Sequence, residues 1–203
     1  MKLQKVLIAS SNPKKVKEIK EILRPLGIEV IVPPKKLEVE EKGTTFLENA
    51  YLKAKAYYEE FKIPTIADDS GLIVEAIAPY PGVYSARFHS IPEWGKEEPI
   101  PNEDEANIRK LLRVLKNKTN RRAKFVSNIV LYLGDGKGIF TEGEVYGKII
   151  DTPKGDKGFG YDPIFVPEGY NQTFAQMEPE EKHKISHRGR ALKKLYELLK
   201  EFK

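Results

Sequence analysis

Two adjacent carboxylates, Asp68 and Asp69, stand in the run Ala67-Asp68-Asp69-Ser70-Gly71-Leu72, directly after the apolar run Ile63-Pro64-Thr65-Ile66. Acids at the mouth of a buried strand lie where open α/β sheets bind ligands. Their charge is costly to desolvate unless a cation, a proton or a partner compensates it. The same Asp-Ser-Gly letters are also ordinary turn chemistry. Successive strand side chains point to opposite faces, so both acids cannot enter one site unless the strand has already broken. On this reading one acid ligates a metal while the other caps a turn or supports a neighbour. Oxygen ligands with no Cys or His nearby suit Mg2+, with Mn2+ as a substitute, rather than zinc.

Four further groups carry chemistry. Ser10-Ser11-Asn12-Pro13-Lys14-Lys15 reads as a strand–helix junction. Helix N-terminal amides with two hydroxyls, an amide and lysines beside them suit a phosphate chain. The glycines and Lys-Ser/Thr ending of a Walker loop are missing, and simple capping with solvated lysines is the competing reading. Glu40 and Glu41 are followed by Glu48, Asn49 and Lys53; Glu48 and Lys53 lie five apart, so an ordinary i,i+4 pair does not explain them. In Gly155-Asp156-Lys157-Gly158-Phe159-Gly160-Tyr161-Asp162-Pro163, glycines let backbone and aromatic faces approach a flat ligand, or the aromatics plug the core. Last, Lys182 precedes Ser186-His187-Arg188-Gly189, where Ser186 reads as an N-cap. Cations at a helix N-terminus oppose its dipole, a local misfit that favours function. Arg and His there would donate to a carbonyl oxygen.

The elements that must position these groups alternate. A strand at Lys5–Ala9 leads to a helix capped by Asn12 with Pro13 at its first position, and a second strand follows at Ile28–Val32. A long helix over about Thr45–Phe61 precedes strands at Ile63–Ala67 and Leu72–Ala76. His89–Pro101 reads as a surface excursion, and Asn102 with Glu105 as a capping box. Ala123–Leu133 and Gly138–Ile150 form a hairpin around Gly134-Asp135-Gly136, and an amphipathic helix from near Ser186 carries a stripe ending at Phe202. The expected fold is α/β: an elongated mixed sheet with flanking helices and two lobes around a central substrate cleft, as one domain over residues 1–203.

Composition narrows the function classes. The 203 residues contain no cysteine and three histidines, which excludes a disulfide scaffold, a thiolate metal site and a cysteine nucleophile, and disfavours a zinc-hydrolase triad. No apolar run approaches the ~20 residues of a membrane span and the N-terminus lacks a signal-peptide core, so the expected location is cytoplasmic. The net charge of +5 suits an anionic ligand but is too mild and dispersed to indicate nucleic acid.

Read in order, these words resemble the inosine/xanthosine triphosphate pyrophosphatase family (Ham/Rdg type). The matching words are Ser11-Asn12 with Lys15 and Glu18, Thr45-Phe46-Leu47-Glu48-Asn49-Ala50 with Lys53-Ala54, and Ala67 to Leu72. Pro81-Gly82-Val83-Tyr84-Ser85-Ala86-Arg87, Gly158 to Pro163 and Ser186-His187-Arg188 complete the set. Six in order are highly specific. The resemblance implies Mg2+-dependent hydrolysis of ITP, dITP or XTP to the monophosphate and pyrophosphate by a homodimer. It implies Asp69 as the catalytic carboxylate and metal ligand, with Glu40 completing the metal site and Glu41 in reserve. Ser10, Ser11, Asn12, Lys14, Lys15 and Lys53 would cradle the triphosphate, with Ser70 beside the substrate. Phe159 would stack on the base, Gly160, Tyr161 and Asp162 hold base or sugar, and Lys182, His187 and Arg188 read the 6-oxo edge. Ser11 stands where many relatives have glycine, which tightens that loop. The rival readings are a pyrophosphatase for modified pyrimidine nucleotides and a non-catalytic nucleotide- or RNA-binding protein.

Overall fold

The protein is described by a computed structural model covering residues 3–201, so the expected stripe residue Phe202 lies outside the described residues. Six strands form one sheet in the order β2-β1-β3-β4-β5-β6. Strand β1 (Lys5–Ile8) pairs parallel with β2 (Glu29–Ile31) and with β3 (Thr65–Val74). The hairpin strands β4 (Arg122–Gly134) and β5 (Lys137–Ile149) follow, and β5 pairs antiparallel with β6 (Phe165–Pro167). The helices are α1 (Pro13–Leu23), α2 (Phe46–Phe61), α3 (Glu103–Leu115), α4 (Pro179–Ile185) and α5 (His187–Lys200). The fold is therefore mixed α/β with flanking helices.

The chain divides into two compact units, one formed by residues up to 69, 127–143 and from 188 on, the other by 70–126 and 144–187. In the first, strand alternation sorts the core into two layers. Val6 and Ile8 of β1, Ile66 of β3 and Ile129 and Leu131 of β4 pack with Ile19 and Leu23 of α1 and Leu192 and Leu195 of α5. Leu7, Ala67, Val130 and Tyr132 face the other way, onto Ala50, Ala54 and Tyr57 of α2. The second unit has a single core in which α3 packs through Ile108, Leu111 and Leu115.

Sequence signals at helix starts hold locally: the side chains of Asn12, Thr45 and Asn102 accept from the backbone amides of Lys14, Glu48 and Glu105. Two expectations are corrected. Asp-Asp-Ser-Gly is no corner, because β3 runs unbroken from Thr65 to Val74. Nor is His89–Pro101 wholly a surface excursion, since His89 and Ile91 are buried. Buried side chains of α3 pin that segment: Asn107 accepts from the His89 amide at 2.8 Å and donates to Ala86 O at 3.1 Å. Lys110 donates to Phe88 O and Ile91 O, both at 2.8 Å, so its buried ammonium is solvated by carbonyls. No helix among the described residues is long and apolar enough to cross a membrane.

Candidate functional site

The layering of the first unit decides what each acid meets. Asp68 follows Ile66 at a spacing of two and faces α1 and α5. Lys15 Nζ donates to its Oδ1 at 2.8 Å and Arg188 Nε to its Oδ2 at 3.1 Å. Arg188 Nη1 also lies 3.7 Å from Glu18 Oε2. Asp68 is 6% exposed. Burial alone would raise its carboxyl, but Lys15 and Arg188 outweigh that and hold it well below the usual carboxylate range. A buried anion is thus matched by two cations from distant elements.

Asp69 follows Ala67 and faces the α2 side. Burial and the neighbouring Glu41 charge push its carboxyl up to about 7, against the opposing pull of Lys53 and a hydrogen bond from Asn49. Lys53 Nζ reaches Glu41 Oε1 at 2.9 Å and donates to the Asp68 carbonyl at 3.1 Å. The buried Asn49 is held from behind: its Oδ1 accepts from the Gly43 amide at 2.7 Å. A Cβ at Gly43 would meet that oxygen at 2.6 Å and Glu48 at 2.9 Å, so glycine lets the Glu41 loop close onto α2. Glu48 is absorbed by capping, its Oε2 accepting from the Thr44 amide at 3.2 Å. Glu40 was the expected metal ligand, with Glu41 in reserve. Glu40 is exposed and paired with Lys42 at 2.6 Å, whereas Glu41 is coupled to Asp69.

Among the described residues no three His, Cys, Asp or Glu side chains converge on one point. The Asp69–Glu41 pair still fits Mg2+, which is held by one or two carboxylates with water and substrate phosphates supplying the rest. Two mutually repelling carboxylates, one with its proton affinity raised, are what a hard cation would relieve.

At the start of α1, Ser10 Oγ accepts from the Asn12 amide at 3.1 Å and Asn12 Oδ1 from the Lys14 amide at 2.9 Å. Ser11 and Lys14 are exposed, and α1 has no acid in its first turn. That end keeps its positive dipole uncompensated by carboxylates.

The second unit organises the aromatic loop. Phe159 stands 45% exposed, with Lys182 Nζ 4.9 Å from its ring centre. Asp162 is buried and accepts from Lys182 Nζ at 2.6 Å and from the Phe159 amide at 3.1 Å. Gly158 has φ +74°, and a Cβ there would collide with the Asp162 carboxylate. His187 stacks on Phe125 with centroids 4.9 Å apart. Ser70 is half-buried beside Asp69.

Three of the expected ligand residues have partners within the protein. Tyr161 is buried and donates its hydroxyl to Ser85 O at 2.6 Å, so it anchors the loop in the core. Asp162 shapes the loop and holds Lys182. Arg188 pairs with Asp68 and lies near Glu18. Asn49 and Ser85 stood in motif words without a site role; Ser85 Oγ also accepts from the Leu72 amide at 2.9 Å, three residues beyond Asp69.

A model of the Ham1 family matches residues 6–198. A dITP/XTP pyrophosphatase of Aquifex aeolicus is 67% identical over 196 residues, covering 97% of this chain and 96% of that protein. One of Hydrogenobaculum sp. is 51% identical over 210 residues, covering 97% and 98%. The solved structure of the Staphylococcus aureus Ham1 protein superimposes with a TM-score of 0.86 at 40% identity, over 98% of this chain and 100% of that one.

Proposed function

Since the chain belongs to the Ham1 family, we propose that it is a hydrolase that cleaves dITP, ITP and XTP to the monophosphate and pyrophosphate, cleansing the nucleotide pool. The observation that carries this reading is the oxygen cluster on the α2 side of β3, where Asp69 and Glu41 lie with Asn49 and Lys53. We take residues 1–203 as one catalytic domain, acting in the cytoplasm as a homodimer on a small-molecule nucleotide.

Asp69 and Glu41, rather than Glu40, would hold Mg2+, and Mn2+ would substitute. When bound, the cation neutralises phosphate charge. Asp69 orients the attacking water and accepts its proton. Water adds at the α-phosphorus as the bond to the β-phosphate oxygen breaks, so pyrophosphate leaves. Lys53, Lys15, Lys14, Ser10, Ser11 and the Asn12-capped start of α1 bind the triphosphate, with Ser70 beside it. Phe159 offers the base a stacking face. Lys182 and His187 donate to a 6-oxo group, and a 6-amino group would leave those donors unpaired. Arg188 acts through Asp68.

A substrate panel with Mg2+ tests the reading. Pyrophosphate release should be fastest with ITP, dITP and XTP. Faster cleavage of UTP or dTTP would favour a pyrimidine enzyme, and no release from any triphosphate would favour a binding protein.

A further inference from the structure

The Phe159–Gly160 peptide lies in the middle of the aromatic loop. Gly160 has φ +60° and nothing within 4 Å of where a Cβ would stand, so neither sterics nor packing fixes its rotation. Its flanking groups are nonetheless all engaged. The Phe159 amide donates to Asp162 Oδ2, and the Phe159 carbonyl accepts from the Asp162 amide at 3.2 Å. The Gly160 amide donates to Asp104 Oδ2 at 2.9 Å. Asp104 stands 56 positions earlier, in the first turn of α3. It is exposed, and α3 is itself fixed through Asn107, Lys110 and its buried apolar face.

A glycine with no steric restraint lets the loop backbone swing about its φ and ψ, and that changes the direction of the side chain next to it. A second, charged acceptor on a rigid helix removes that freedom, and hydrogen bonds to a charged group are the stronger class. Phe159 is the side chain that such a swing would redirect, and it is the exposed ring beneath Lys182.

We propose that Asp104 is a positioning residue for base recognition: it locks the Phe159–Gly160 peptide and so presents the Phe159 ring in one pose. This rests on the reading above that Phe159 receives the base. Asp104 touches no substrate. Its effect falls on binding of the base rather than on the phosphoryl chemistry at Asp69.

Two variants of the full chain test it. Asp104→Ala removes the acceptor; Asp104→Asn keeps an acceptor oxygen and drops the charge. In Asp104→Ala the Gly160 amide should exchange with solvent at least about tenfold faster by NMR, and KM for ITP should rise about tenfold with kcat within about twofold. Asp104→Asn should return both quantities to within about threefold of the parent. Unchanged exchange and KM in Asp104→Ala, an equal loss in kcat, or no recovery in Asp104→Asn would overturn the proposal. A parent protein that cleaves no purine triphosphate would instead defeat the functional reading, and the Gly160 exchange would still report on the lock itself.

Discussion

On one face of β3, Asp68 sits among cations: Lys15 and Arg188 bind its two oxygens and hold it ionised. On the other, one residue along the same strand, Asp69 sits beside Glu41 and is pushed up to about 7, against the pull of Lys53 and Asn49. Pleat alternation alone hands these neighbours to different helices, α1 and α5 for Asp68 and α2 for Asp69. On the first face the buried carboxylate is balanced by two cations. The second sets two carboxylates against Lys53, and the function proposed above assigns the reaction to it.

The comparison breaks most visibly at Asp69. Asp69→Asn should lower kcat by about 10³-fold or more while the fold stays intact, measured by pyrophosphate release and thermal unfolding. Near-normal turnover would reverse the roles of the two acids. Asp68→Ala strands the buried Arg188 and the partly buried Lys15 and should cost about 3 kcal/mol in denaturant unfolding. A loss below about 1 kcal/mol would mean that Lys15 and Arg188 find other partners.

The pH dependences should also oppose each other. The folded-state value of Asp69 is raised, so the cation-free protein binds more protons than the unfolded chain between about 4 and about 7. Its stability should therefore fall as pH rises through that window, by roughly 1–2 kcal/mol after allowance for partial exposure, and Asp69→Asn should flatten the slope. Asp68 works the other way: its contribution is present above about 4 and is lost as pH falls toward its depressed folded value. The smallest effect separates two neighbouring glutamates. Glu41→Gln should raise the Mg2+ concentration for half-maximal activity about tenfold, whereas Glu40→Gln, on an exposed side chain, should change it by less than about twofold.

Much of this was legible before the fold was known. Period-two alternation separates Asp68 from Asp69 whatever the helices are, and the caps at Asn12, Thr45 and Asn102 follow from local chemistry. Asp-Asp-Ser-Gly misled because its residue types favour turns, while β3 tolerates them by pairing Asp68 across long sequence distances, 53 residues to Lys15 and 120 to Arg188. Those same pairs explain the misfit of Arg188 at a helix start: its compensating charge is a buried carboxylate, invisible to local reasoning. The placement of Glu41 beside Lys53 goes with the Gly43–Asn49 hydrogen bond, which holds an irregular loop with no periodic signal. Short polar α4 and three-residue β6 carry too few apolar positions to announce themselves.

The most direct test is to follow the two carboxyl carbons of Asp68 and Asp69 by NMR across pH 3–9, without cation and with Mg2+. Asp69 should titrate near 7 without cation and shift sharply downward with Mg2+, while Asp68 should stay ionised throughout in both conditions. Two carboxyls titrating together near 4, or an Asp69 indifferent to Mg2+, would contradict this assignment.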